Sequence, residues 1–507
     1  MYNKDVLLKD MSGHSSTNKW DIVCCYQEDI VNNLLKEKYK QGTLVTDIKI
    51  SGSYEDPFSG TILFESDLKL HEPELQFDSE KKNVSRLIMP IAEGTCSLTQ
   101  KDNPANVKKY IIDPYILQLV CDVPLAATSG DTKAVHDGDV HDGKTPITFD
   151  KGSNTEHKIF LHFSNSTDTT FDIVPIPGNE DAAKKQEIFQ ENIRPEIIKL
   201  IATFFKEEVD EINYAMGGIS NIDQPGVKTI LPKSFIFSVF KPEQNSVGCL
   251  SLYIQSDDSG NGPGDINPSF QPNGSVTSPI PDGYTASIIL SGDYLGKLLV
   301  SLLTDRASGK TAKVDSNTTG LIIETNIPNK VISYPGYNRN VNHWFDGINI
   351  NISNTPLYFN LNQDQQNVTM SSPSADGNYS NWDNCGGEML GGSGHISASF
   401  TVNETFPLKL SSDGKLKFSF ILNQSGVEVT AKTHCTSGGW EIDEEPIRKG
   451  LKANIPPQIG TISVQLDQVS MFVVGNLLFP EKNILKFKSE DSFYVPHDLI
   501  VFGNIQQ

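Results

Sequence analysis

One stretch of the sequence, residues 195–216, constrains the fold more than any other. It reads PEIIKLIATFFKEEVDEINYAM and is followed by Gly217 and Gly218. At about 100° per residue, its apolar side chains cover an arc of roughly 160°, wider than a one-faced surface helix needs. Pro195 suits a first helical position, and the glycine pair suits a left-handed stop. The pattern predicts a long apolar helix, which residues 179–194 would extend to about ten kinked turns.

Most of the remaining sequence is typical of strands and turns. In TILFESDLKL, residues 61–70, the apolar positions Ile62, Phe64, Leu68 and Leu70 share one face. The same alternation recurs at 348–352, 416–422 and 462–466. Alternation of this kind indicates antiparallel sheet with one face in the core and one in water. We therefore predict an α+β fold, elongated, with one long helix wrapped by a highly curved antiparallel β-sheet.

The chain divides into a tail and a body. Residues 1–18 are predicted to be a flexible N-terminal tail, and residues 19–507 a single elongated body. An alternative within this body is a division into two lobes, 19–217 and 218–507. Shorter helices are predicted within 20–42 and at 293–303, where leucines recur at helical spacing. Segments 126–158 and 256–283 are polar and lack periodicity, which is typical of long loops.

Composition excludes some classes of function. The formal net charge of -21 argues against a nucleic-acid partner, because phosphate binding needs clustered Lys and Arg. No apolar run reaches the roughly 18 residues that would predict a transmembrane segment. The N-terminus lacks the apolar core of a secretory signal, which predicts cytoplasmic synthesis. The 7 cysteines are scattered without a CxxC pair and are expected to be reduced and mostly buried.

Two segments superficially resemble metal sites. HDGDVHDG, 136–143, repeats His-Asp-Gly, but structural metal sites usually have closely paired, rigid ligands, so a solvated loop is favoured. DDSGNG, 257–262, begins like a calcium loop, yet Pro268 occupies the position where a bidentate Glu is required. We predict no metal site and no cofactor.

Catalytic patterns fail in the same way. GGSGH, 391–395, has His395 where a nucleophile elbow needs Gly. Cys435 follows His434, but neighbours on a strand point to opposite faces, so a buried structural cysteine is favoured. We predict no catalytic residues and no enzymatic activity.

The apolar face of the 195–216 helix has two interpretations. Its residues could be ordinary core packed against sheet. They could also line an incompletely filled tube that accepts an acyl chain. The candidate groove residues are Ile197, Ile201, Phe204, Phe205, Val209 and Ile212.

Several segments together resemble one known family. They are WDIV at 20–23, IVNNLL at 30–35, NIRPEIIKLIATFF at 192–205, INYAM at 212–216 and NLLFPEKNILKFKSEDSFYVPHDLIVFGNI at 476–505. The most specific parts are LLFP, 477–480, and PHDLIVFG, 496–503. These segments resemble the OrfX-cluster companion proteins, which are encoded beside clostridial neurotoxin and insecticidal toxin genes. The resemblance runs from about residue 20 to the C-terminus.

That family is similar to the tubular lipid-binding (TULIP) superfamily, in which a curved antiparallel sheet wraps a long helix. The resemblance implies a non-enzymatic accessory protein of a toxin gene cluster, with a role in virulence. Its expected ligand is a lipid or membrane component held in an apolar tube or groove. The alternative is a protein–protein assembly component that binds sister cluster proteins or the toxin and no lipid. Either role would place the protein outside the cell with the toxin.

Overall fold

A computed structural model gives the architecture. It describes residues 3–77, 81, 83–129, 140–165, 167–184, 193–223, 230–242, 247–274, 276–303, 308–314, 320–327, 330–340, 343–362, 367–371, 374–385, 388–406, 408–410, 416–437, 442–467, 469, 472–473, 476–478, 484–487 and 493–506.

The helices and strands follow one another along the chain. The helices are α1 Lys4–Met11, α2 Glu28–Lys40, α3 Glu180–Ala183, α4 Arg194–Glu207, α5 Gly292–Leu302 and α6 Glu444–Ile459. The first strands are β1 Ile22–Gln27, β2 Asp47–Asp56, β3 Gly60–Leu70, β4 Glu74–Phe77, β5 Val84–Gln100, β6 Asn103–Ile112, β7 Leu117–Ser129, β8 Ile147–Thr148, β9 Glu156–Leu161, β10 Thr170–Pro175, β11 Ala215–Ser220, β12 Pro232–Phe240, β13 Cys249–Ser256 and β14 Ala286–Leu290. The remaining strands are β15 Ser308–Val314, β16 Leu321–Asn326, β17 Val331–Asn340, β18 His343–Asn351, β19 Pro356–Leu361, β20 Asn367–Ser371, β21 Ala375–Cys385, β22 Glu388–Thr405, β23 Leu408–Leu410, β24 Leu416–Ile421, β25 Val427–Ser437, β26 Thr461–Gln465, β27 Leu477–Leu478, β28 Ile484–Phe487, β29 Phe493–Tyr494 and β30 Leu499–Gln506.

The predicted fold class, a long helix wrapped by a sheet, is wrong. Among the described residues, strands account for far more of the chain than helices do. The longest helix among the described residues is α6, with 16 residues, and α4 has only 14. The fold is mainly β, built from curled antiparallel sheets that carry short helices.

The predicted helix over 195–216 ends at Glu207 because tertiary contacts redirect the chain. Beyond it, the buried Glu211 carboxylate accepts hydrogen bonds from the Ser164 N–H (2.6 Å) and the Ser164 hydroxyl (2.7 Å). The sequence then enters β11, which pairs with β9. A Cβ at Gly218 would collide with the carbonyl oxygen of His157, so this glycine permits strand pairing and does not end a helix. Of the predicted extension, 185–192 lie outside the described residues.

The first sheet is buried on both faces. Its strands run β28-β30-β14-β1-β13-β12-β8, with β29 paired to β30, and all eight residues of β13 are buried. One face joins the main core. The other packs under α1 and the segment around Phe270 and Ile280, in a separate apolar cluster. The segment predicted to be a flexible tail contains α1, whose Leu7, Leu8 and Met11 are buried.

The second sheet runs β2-β3-β5-β7-β9-β11-β27, with β4 and β6 paired to β5 and β10 paired to β7. In β3 the predicted face is confirmed, since Ile62, Phe64, Leu68 and Leu70 are buried. Helix α4 packs on β2 and β10. The predicted lobe boundary at 217/218 falls inside β11, whose Gly218 and Ile219 also pair with β27.

The third sheet runs β15-β16-β19-β20-β22-β21-β18-β17, with β25 paired to β22, and a small sheet runs β23-β24-β26. Helix α5 contacts β15, β16 and β26, while α6 contacts β17 and β25. The predicted helix at 293–303 is confirmed as α5, and the alternation at 348–352 as β18, where Ile348 and Ile350 are buried.

His157 on β9 is a buried imidazole at the junction of the first two sheets. Its ring lies 5.0 Å from that of Phe149, 5.7 Å from that of Phe235 and 6.2 Å from that of His141. Its Nδ1 has no hydrogen-bond partner in the described part of the chain. Burial, and then the neighbouring His141, lower the pKa of His157 from 6.5 to about 4.

The lowered pKa of His157 predicts a loss of stability in acid. Unfolded chains bind this proton below about pH 6.5 and the folded chain only below about 4, so the free energy of unfolding should fall as pH drops through that window. The loss should reach about 3 kcal/mol, because one pKa unit corresponds to about 1.4 kcal/mol. Urea unfolding from pH 7 to 4 measures it. His157→Gln should flatten the profile, and His14→Gln, at an exposed site, should not; equal profiles for all three would refute the assignment.

Candidate functional site

Helix α4 carries four of the six predicted groove residues, and Val209 and Ile212 follow its end. Around it, Phe205 is the centre of an aromatic cluster, with ring centroids 5.1 Å from Phe163 and 5.3 Å from Phe171. The buried members of the predicted set are Ile197, Ile201, Phe205 and, just after the helix, Val209, whereas Phe204 and Ile212 are half-buried.

The packing of α4 on β2 is tight. A Cβ at Gly52 would lie 2.8 Å from a methyl carbon of Leu200 and 2.9 Å from the Phe64 ring. Gly52 therefore lets the helix approach the strand closely. This contact matches the ordinary-core interpretation, and a role of the six residues in lipid binding stays a prediction.

A wholly apolar crevice lies elsewhere, at the C-terminal end of α5. Its volume is about 30 Å³. The Phe420 ring stands 5.9 Å from that of Phe359 and 6.0 Å from that of Phe406, so aromatic side chains form much of its wall. The lining residues are Leu299, Leu303, Ile323, Phe359, Leu361, Phe406, Phe420 and Ile462.

Elements that are far apart in sequence build this crevice. Leu299 and Leu303 come from the end of α5, Phe359 from β19 and Ile462 from β26. Each segment has the apolar periodicity of its own element, which was visible in the sequence. The sequence missed the crevice because alternation shows that a residue faces inward and does not show which strands face one another.

The segment that resembled a calcium loop has a structural role. The Tyr294 hydroxyl donates to the Asp258 carboxylate (2.8 Å), and the Asn261 amide donates to Asp21 (2.6 Å). Burial, and then the Asp258 charge, raise the pKa of Tyr294 well above its ordinary value, so the hydroxyl remains a donor. Within the described residues no group of three or more His, Cys, Asp or Glu could hold a metal ion. Of the His-Asp-Gly repeat, 136–139 lie outside those residues.

The other motif residues lie on the third sheet. His395 on β22 and His434 on β25 stack their rings with centroids 4.8 Å apart. Cys435 is exposed, which corrects the expectation of burial. No helix within the described ranges is both long and apolar enough to span a membrane.

Comparison with known proteins places the fold. No protein-family model matches the chain, and no curated protein matches its sequence. The structure of P47 from Clostridium botulinum A2 matches with a TM-score of 0.53 and 13% identity, over 97% of this chain and 98% of that one. This chain shares the fold of P47. The similarity shows a relation of fold to P47, and at this identity it does not show family membership.

A lipopolysaccharide binding protein gives a much weaker match to this P47-like fold. Its TM-score is 0.24 at 9% identity, over 96% of this chain and 99% of that one. A similarity at this level supports no argument about fold or ligand.

Substitution on α4 separates the core interpretation from the groove interpretation. Ile201→Ala should lower the free energy of unfolding by about 2–5 kcal/mol, because it leaves a cavity in a packed core. Thr203→Ala, on the exposed face of the same helix, should change it by less than about 0.5 kcal/mol. Urea denaturation measures both variants. If Ile201→Ala were as stable as the native chain, the residue would line open space, as the groove interpretation requires.

Proposed function

We propose that this chain is a non-enzymatic accessory protein of a bacterial toxin gene cluster that binds the acyl chain of a lipid. The observation that supports an acyl chain as the ligand is the crevice at the end of α5, whose lining residues are all apolar. The observations that support the cluster role are the sequence resemblance and the fold shared with P47. Cytoplasmic synthesis and release with the toxin belong to the same proposal.

The crevice suits an acyl chain because burial of each CH₂ contributes about 0.8 kcal/mol. In the present conformation its volume of about 30 Å³ equals the share of one water molecule in the liquid, so an acyl chain does not yet fit. In our proposal the chain enters when the Phe406 and Phe420 side chains rotate away from each other. Their rings stand 6.0 Å apart, and Phe406 follows the end of β22 whereas Phe420 lies on β24, which does not pair with β22, so this motion breaks no strand pairing between them.

Filling the crevice should abolish lipid binding. Leu303→Trp adds bulk at the end of α5 and should weaken oleate retention by at least about tenfold, while the larger opening in Phe406→Ala should strengthen it. Ser301→Trp adds the same ring on the exposed side of α5 and is the matched control. The measurement is native mass spectrometry after incubation with oleate and with phosphatidylcholine vesicles, followed by organic extraction. Thermal unfolding of each variant confirms that it folds.

A native chain that stays free of lipid after this incubation would remove the lipid proposal. Equal retention by the native chain and by folded Leu303→Trp would place the lipid outside the crevice. Retention lost only in folded variants of α4 would return the site to the helix that the sequence predicted.

A second function, assembly with sister cluster proteins or the toxin, is favoured by an apolar stripe on the outer face of the second sheet. Phe58, at the β2–β3 turn, is 97% exposed, and Ile111 on β6 is 71% exposed. Leu63 and Val107 lie between them, both in register with Thr99 of β5. The Asp56 carboxylate fixes the turn by accepting the N–H groups of Phe58 (3.0 Å) and Ser59 (2.7 Å). Exposed apolar groups aligned in this way are typical of interaction surfaces.

The double substitution Phe58→Ser with Ile111→Ser tests the assembly function. It should leave the unfolding temperature unchanged, because both side chains are exposed, and should abolish a complex with proteins encoded by neighbouring genes. Light scattering after size-exclusion chromatography of the mixtures measures the complex. Val331→Ser removes an apolar residue that is 49% exposed on β17, outside the stripe, and should keep the complex. A complex that survives the double substitution would exclude the stripe as its interface.

A further inference from the structure

A polar cleft lies at the other end of α5, where the helix begins. Its volume is about 560 Å³. Residues 15–20, the turn at 261–263, the start of α5 at 291–293 and residues 497–498 form its walls. The last pair belongs to PHDLIVFG, 496–503, one of the segments that carry the family resemblance. The volume is within the range of about 300–1,000 Å³ that small-molecule sites occupy.

A buried carboxylate holds three of these walls together. Asp498 is 1% exposed, and one of its oxygens accepts the Ser16 N–H (2.7 Å) and the Ser16 hydroxyl (2.9 Å). Its other oxygen accepts the Gly292 N–H (2.9 Å) at the start of α5. The N-terminal segment, the helix and the C-terminal segment are therefore fixed relative to one another.

A second carboxylate fixes the remaining wall. Asp21 is 1% exposed and accepts the Ser256 N–H (2.9 Å) and the Asn261 amide (2.6 Å). The side-chain amide oxygen of Asn261 accepts a hydrogen bond from the Lys297 ammonium (2.8 Å). Because these bonds are internal, the cleft exists before any ligand binds, and preorganisation of this kind favours affinity.

Two polar atoms at the cleft have no partner. Thr17 lines the cleft and is 0% exposed, yet its hydroxyl makes no hydrogen bond within the described residues. His497 also lines the cleft, and its buried Nδ1 likewise makes no hydrogen bond within the described residues. A buried polar atom left unpaired is destabilising, and a ligand with hydroxyl groups would recover this cost.

The charges of the cleft do not favour an ion. The Lys19 ammonium is opposed by the Asp293 carboxylate and already pairs with Asp265 at 3.0 Å. An anion attracted to the start of α5 would meet the Asp293 carboxylate, and a cation would meet the positive end of the helix dipole. A neutral molecule rich in hydroxyl groups can use both the donors and the acceptors. Pro263 adds apolar wall for its C–H faces.

We propose that this cleft is a carbohydrate-binding site, selective for a neutral sugar. The inference goes beyond the proposed acyl-chain function and does not depend on it, since the two sites use different residues. The sugar lies against the start of α5 and exchanges hydrogen bonds with the Thr17 hydroxyl and the His497 Nδ1, both buried in the free protein, once these side chains rotate toward the cleft.

Gly262 offers a clean test. A Cβ at this position would meet no atom within 4 Å, so a side chain can be added without strain. Gly262→Phe should fill the cleft and weaken sugar binding by at least tenfold with an unchanged unfolding temperature. Gly262→Ala is the matched control and should bind within twofold of the native chain. Titration calorimetry uses glucose, galactose, mannose and N-acetylglucosamine at millimolar concentration, with sodium phosphate and calcium chloride as ionic probes.

Saturable binding of at least one sugar that Gly262→Phe removes and Gly262→Ala keeps would support the site. Binding of phosphate or calcium, lost in Gly262→Phe, with no sugar bound, would overturn the proposed ligand class. Sugar binding that Gly262→Phe retains would place the sugar elsewhere, and no binding of any probe would reject the site. Oleate retention in Gly262→Phe should equal that of the native chain, so failure of the sugar site and failure of the lipid site are distinguishable.

Discussion

The burial of the first sheet on both faces is the constraint on which the rest of the structure depends. Its central strands β1, β13 and β14 are almost continuously buried and mostly apolar, so each face must be covered. The main core covers one face. The other is covered by α1 and by the segment around Phe270 and Ile280, which supply few but fully buried side chains. Segments that look polar in the sequence are thus required for burial of the sheet.

Buried carboxylates then determine where sequence-distant segments meet. Asp498 joins the N-terminal segment to α5 and to the C-terminal strand, and Glu211 joins the end of α4 to residues 162–164. The Glu211 carboxylate also lies 3.2 Å from the His162 imidazole, with both side chains 6% exposed. Breaking a buried, hydrogen-bonded pair of this kind is costly, so these contacts override the helical tendency of the local sequence.

Helix α5 connects the two candidate sites. Its first residues border the polar cleft and its last residues border the apolar crevice, which at about 1.5 Å per residue lie roughly 16 Å apart along the axis. The Ser291 hydroxyl caps its start by accepting the Tyr294 N–H (3.2 Å), and its apolar face contacts the third sheet. One short helix therefore has a polar environment at one end and an apolar environment at the other.

The sequence by itself determined the strands, because a period of two residues specifies a face without reference to any partner: Ile62 to Leu70 and Ile348 to Ile350 lie where alternation predicted. It also determined α2 and α5, since their apolar spacing and end signals are local. Only the tertiary structure decided the length of α4, where Glu211 and the pairing of Gly218 with β9 end a pattern that continues in sequence. Only it decided the order of strands, the burial of α1 and both candidate sites. Each of these depends on contacts between residues tens to hundreds of positions apart, and periodicity carries no information about them.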